Sequence, residues 1–169
     1  QAGSYQATFT VTDTNNATDS EDISITVQGD DTQAPYVEGI NPANEEVQVP
    51  PNTNIAFHIK DAGKGVDSAT ISLSIKREGD TAATNIIVNG QSSLSGFPDN
   101  VVIKGTPADY FIAYDPPSGD GYKFKYEQLI TLTISANDLD GNKMNGVYLF
   151  TTAMMLKGPN VKVTTTASA

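Results

Sequence analysis

Residues 127–152 read EQLITLTISANDLDGNKMNGVYLFTT, and how they are read decides the fold. EQLITLTISAND carries the period-two alternation of a half-buried strand, and GVYLFTT is a second short strand. Between them NDLDGNK is turn chemistry, with Ile134 before it and Val147 and Leu149 after it expected to anchor the sheet. The run Asp138, Leu139, Asp140, Gly141, Asn142 also looks like a fragment of a calcium loop. An EF-hand needs Gly at its sixth position and Glu at its twelfth, whereas counting from Asp138 Gly141 is fourth and Leu149 twelfth. The stretch is therefore not a self-contained calcium loop.

The same period runs outward in both directions. NIAFHIKD points Ile55, Phe57 and Ile59 inward, and ATISLSIKR does so with Ile71, Leu73 and Ile75. YVEGI, NIIVNG, VVIKG and DYFIAYD are further short strands separated by turn residues. PANEEVQVPPNT holds two proline clusters and is expected to be a connection rather than a paired strand. Seven to eight short strands with no helical period point to an all-β antiparallel sandwich over residues 36–153.

Upstream, YQATFTVTD and ISITV alternate around the polar turn TNNATDSE, so residues 5–27 read as a β-hairpin. A hairpin alone is marginal in water, and residues 1–29 are therefore expected to be the end of a preceding module. Residues 30–35 read as a linker, and residues 154–169 as a tail or a linker to a next module. The chain opens at Gln1 without a basic-then-apolar leader, which reads as a processed chain or a piece of a longer one.

Composition narrows the function classes. The net charge of −10 over 169 residues repels a phosphate backbone, which argues against nucleic-acid binding. With no Cys there is neither a disulfide framework nor a thiolate metal site, and with one His a zinc or Ser-His-Asp centre has too few members. No apolar run is long enough to insert in a membrane. His58 alternates with inward residues and is read as a surface side chain. The chain is read as non-catalytic.

The segment AGSYQATFTVTDTNNATDSEDISITV resembles the last two strands of the cadherin-like, PKD-like and Ig modules strung together in bacterial surface proteins. APYVEGINPANEEVQVPPNTNIAFHIKD, GVDSATISLSI and LITLTISANDLDGNKMNGVYLFTT together resemble the bacterial Ig-like domain of S-layer and secreted proteins. Residues 78–108 are longer than that pattern. The resemblance implies an Ig-like sandwich in a tandem, extracellular or cell-surface chain, with a spacer or adhesion role and neighbouring modules, host glycans or proteins as partners. It transfers no catalytic residue.

In such a sandwich the DAGKGVD and NDLDGNK loops emerge at the pole where the linker enters. Asp30, Asp31, Asp61, Asp67, Asp138 and Asp140 then form the candidate metal set, and calcium is the cation that fits hard oxygen ligands at a junction, similar to the interdomain calcium of cadherins. The competing reading is that Asp, Asn and Gly are ordinary turn residues with their carboxylates in water. Two other functions stay open. Tyr110, Tyr114, Tyr122 and Tyr126 are candidates for the stacking platform of a carbohydrate-binding module, although the face of Tyr110, Ile112 and Tyr114 fits a core equally well. Alternatively, residues 5–27 add to a neighbour's sheet edge in a filament. Asn16-Ala17-Thr18 matches a glycosylation acceptor, a pattern short enough to arise by chance.

Overall fold

The structure is a computed structural model that describes residues 2–27, 29–118 and 122–155. Residues 156–169, most of the tail expected over 154–169, lie outside the described residues. Among the described residues twelve strands are formed: β1 (Gly3–Thr12), β2 (Thr18–Val27), β3 (Tyr36–Asn41), β4 (Glu46–Val49), β5 (Ile55–Lys60), β6 (Val66–Arg77), β7 (Thr84–Val88), β8 (Gln91–Ser92), β9 (Val101–Thr106), β10 (Asp109–Tyr114), β11 (Leu129–Asp138) and β12 (Lys143–Thr152). β1 and β2 form a sheet of their own, β3-β5-β10-β9 form a second, and β4-β12-β11-β6-β7-β8 form a third.

The second and third sheets face each other as a sandwich. Their order matches the immunoglobulin arrangement, an A-B-E-D sheet against a G-F-C sheet, here extended by β7 and β8. Alternation does the work in β5, whose residues are buried and half-buried in turn, with Ile55, Phe57 and Ile59 inside. Ile71, Leu73 and Ile75 of β6 and Ile130, Leu132 and Ile134 of β11 complete the same layer. Each such side chain contributes roughly 1.5–3 kcal/mol by leaving water.

The sandwich holds ten strands rather than seven or eight, because β4 and β8 were expected to be loop. The prolines at 42, 50 and 51 fall outside Glu46–Val49, which leaves that segment free to pair in parallel with β12 at a sheet edge. The long segment 78–108 divides: β7 and β8 widen the six-stranded sheet, and β9 crosses to the four-stranded one.

The face of β12 is the reverse of that expected. Tyr148 and Phe150 pack on the core, while Val147 is 59% exposed. Every residue of Val147–Phe150 is apolar or aromatic, so alternation cannot choose a face. Pairing with β11 chooses it, setting Tyr148 opposite Leu132 and Phe150 opposite Ile130.

The hairpin differs from the sandwich in having no core. Antiparallel pairing sets Tyr5 opposite Ile25 and Ala7 opposite Ile23, so these share a face with Phe9 and Val11. Phe9 is 61% and Val11 69% exposed.

Candidate metal centre

β5 and β11 end, and β6 and β12 begin, at one pole of the sandwich. The loops there share one local design. In DAGKG, Asp61 Oδ1 accepts the backbone N–H groups of Gly63 (2.9 Å) and Gly65 (2.8 Å). In DLDGN, Asp138 Oδ1 accepts those of Asp140 (2.9 Å) and Asn142 (2.7 Å). Residues i+2 and i+4 thus donate to the aspartate that opens each loop, satisfying amides that the turn takes out of the ladder. Gly65 has φ +98°, a left-handed conformation open to glycine, and an added Cβ would lie 2.5 Å from Pro107.

The linker brings a third aspartate. Asp31 Oδ1 accepts the Gln33 N–H at 2.9 Å and its Oδ2 the Lys64 N–H at 2.9 Å. Asp31 in turn donates its own N–H to Asp140 Oδ2 (2.7 Å), and its carbonyl accepts Asn142 Nδ2 (2.8 Å). Room for its carboxylate comes from Gly63: a Cβ there would sit 1.9 Å from Asp31 Oδ2.

Asp31, Asp61 and Asp138 each present an oxygen within 4.8 Å of the other two. That spacing suits a shared cation with oxygen distances of roughly 2.3–2.6 Å. Asp61 and Asp138 are only 6% and 2% exposed. Asp61 Oδ2 is buried and accepts no hydrogen bond, which leaves one oxygen of a buried carboxylate unsatisfied inside an acidic group. The donors are all hard oxygens, the set that suits Ca²⁺, Mg²⁺ or Mn²⁺ rather than copper or zinc. With three carboxylates fixed, waters would supply much of a calcium shell of roughly six to eight oxygens.

The remaining aspartates of the set lie around this group. Asp140 borders it, its Oδ1 accepting Lys64 Nζ at 3.1 Å. Asp67 lies on β6 opposite Asn137 and accepts the Ala69 N–H at 3.0 Å, outside the group. Asp30 is exposed and also outside it. Gly63 and Lys64 belong to the pole without having been singled out in the sequence, and Asn142 was noted only in the loop run and not as a site residue; the recurring spacing of Asp61-x-Gly63-x-Gly65 and Asp138-x-Asp140-x-Asn142 was the available signal.

The electrostatics follow from these contacts. Burial works to raise the Asp138 carboxyl, but the Asn142 side chain and the backbone N–H groups of Asn142, Asp140 and Gly141 outweigh it and hold it below the usual value. The Asp31 N–H and the Lys64 ammonium lower Asp140. The Asp140 carboxylate raises Lys64 in return.

The tyrosines do not gather into a platform. Tyr114 is fully buried, Tyr110 and Tyr122 pack against the core, and Tyr126 is 48% exposed. His58 faces outward as expected, yet it has a partner: its Nδ1 donates to Asp109 Oδ1 at 2.6 Å across the β5–β10 ladder. Lys60 pairs with Glu38 and lies 3.7 Å from Asp109 Oδ2. That contact depends on strand register, which places Lys60 opposite Asp109.

No family model matches the chain, and no curated protein matches it. Among solved structures it is similar to the crystal structure of CopC from Methylosinus trichosporium OB3b, at 16% identity and a TM-score of 0.45, covering 73% of this chain and 97% of that one. A likeness of that size does not bear on function.

Proposed function

We propose that the chain is a non-catalytic structural module of an extracellular multidomain protein, in which a divalent cation, calcium by its ligand chemistry, fixes the joint between hairpin and sandwich. The observation that carries this reading is the meeting of the linker carboxylate of Asp31 with the buried Asp61 and Asp138, whose oxygens lie within 4.8 Å of one another while Asp61 Oδ2 accepts nothing. Like charges gathered this closely repel, and a cation converts the repulsion into attraction. Because Asp31 belongs to the linker, the ion would tie the linker to two loops of the sandwich and stiffen the joint.

The exposed apolar face of β1 and β2 supports the modular part of the reading. Phe9, Val11, Ile23 and Ile25 need a sheet to cover them, and the resemblance of residues 2–27 to a terminal hairpin makes a neighbouring module of the same protein the natural cover. Concentration-dependent assembly that disappears on deleting residues 1–30 would assign that cover to a second copy instead.

Thermal unfolding with calcium and with a chelator tests the cation. Calcium at about a hundred times Kd stabilises by ~2.7 kcal/mol, roughly 5–10 °C for a chain of this size. Asp61→Asn keeps the shape and removes the charge, so it is expected to abolish that shift. A midpoint that millimolar calcium leaves unmoved in the unaltered protein would sink the reading.

A further inference from the structure

The acidic pole already holds a cation of its own, the ammonium of Lys64. This residue is built into the pole twice: its backbone N–H donates to Asp31 Oδ2 at 2.9 Å, and its Nζ donates to Asp140 Oδ1 at 3.1 Å. Asp140 is the same residue whose Oδ2 receives the Asp31 N–H. Lys64 therefore links the linker, the DAGKG loop and the DLDGN loop through protein contacts alone. Its side chain is 36% exposed and that of Asp140 23%, so the pair lies at the rim of the group rather than inside it. The unsatisfied oxygen is elsewhere, on Asp61 at the buried centre.

Two cation positions thus share one cluster of carboxylates, a rim position filled by Lys64 and a central position defined by Asp31, Asp61 and Asp138. Occupying the centre with a divalent ion places it near the ammonium, and like charges at short range oppose each other. Resting on the cation reading above, we infer that Lys64 is a competing resident cation: it holds the joint together when divalent ions are scarce and weakens their binding when they are present. The site is thereby tuned to the millimolar calcium of an extracellular medium, the weak end of the range for calcium modules.

The inference predicts two effects of opposite sign from one substitution. Lys64→Met keeps the aliphatic stem and the backbone N–H bond to Asp31 but removes the charge. In chelator its melting midpoint should fall below that of the unaltered protein, because the Asp140 contact is lost. In calorimetric titration its calcium Kd should tighten by about two- to five-fold, the worth of one partly exposed charge pair. Lys64→Arg, which keeps the charge, should restore both values. Calcium that binds the unaltered protein and Lys64→Met with equal Kd, or binds the variant more weakly, would overturn the competition while leaving the cation reading intact. Calcium binding to neither protein would overturn both, and Asp61→Asn, expected to bind none, identifies the heat of a site that is truly central.

Discussion

The turn of the N-terminal hairpin and the acidic pole of the sandwich are built from the same loop. Asp13 Oδ1 accepts the N–H groups of Asn15 (2.8 Å) and Ala17 (2.9 Å), the i+2 and i+4 pattern seen at Asp61 and Asp138. Asp13 is exposed and stands outside any acidic group among the described residues, whereas Asp61 and Asp138 are buried and meet Asp31. One local solution to a tight turn has two consequences, and tertiary placement separates them. At Asp13 turn chemistry is the whole explanation. At the pole it explains the loops but not the unsatisfied Asp61 oxygen or the convergence of three carboxylates.

Deleting each opening aspartate in turn should separate the two turns most strongly. Asp138→Ala should lower the melting midpoint severely, because it removes a buried carboxylate that accepts the part-buried amides of Asp140 and Asn142 and one hydrogen of Asn142 Nδ2. Asp13→Ala, where water can replace the carboxylate, should lower it little and leave any calcium response unchanged. Equal losses at the two positions would mean that burial at the pole has no energetic consequence.

Acid should act next in size, and on the pole in particular. Asp138 and Asp140 titrate below the ordinary value of 3.8, so the unfolded chain takes up protons before the folded one does. Their contribution is present above that value and is lost as the pH falls below it towards their folded values. Melting scans in pH steps should show the midpoint dropping there, with the calcium shift disappearing over the same range. In Asp138→Ala the drop should be shallower.

Gly63→Ala is the finest probe. The added Cβ falls where Asp31 Oδ2 lies, so the Asp31 carboxylate must leave the group while Asp61 and Asp138 stay. The expected result is a small change in chelator and calcium affinity weakened at least about tenfold, as for loss of a supporting contact in a metal site. Unchanged affinity would remove Asp31, and with it the linker, from the site.

Much of this was open to reading along the chain. The alternation in β5, β6 and β11 identified the faces that pack, and the meeting of the DAGKG and DLDGN loops with the linker at one pole follows from strand order. Where every position is apolar, as in Val147–Phe150, alternation gives no answer, and the ladder to β11 supplied it. The His58–Asp109 contact depends on register across residues 51 apart in sequence.

What is local is written in the amino-acid order: period-two strands, the turns opened by Asp13, Asp61 and Asp138, an acidic chain without thiols. These follow from backbone sterics and from side chains that bond to amides two and four residues away. Which carboxylates meet is set by folding. It brought Asp31 against Gly63 and left Asp30 and Asp67 aside, because convergence depends on distances between segments 30 to 110 residues apart, fixed by the packing of two sheets.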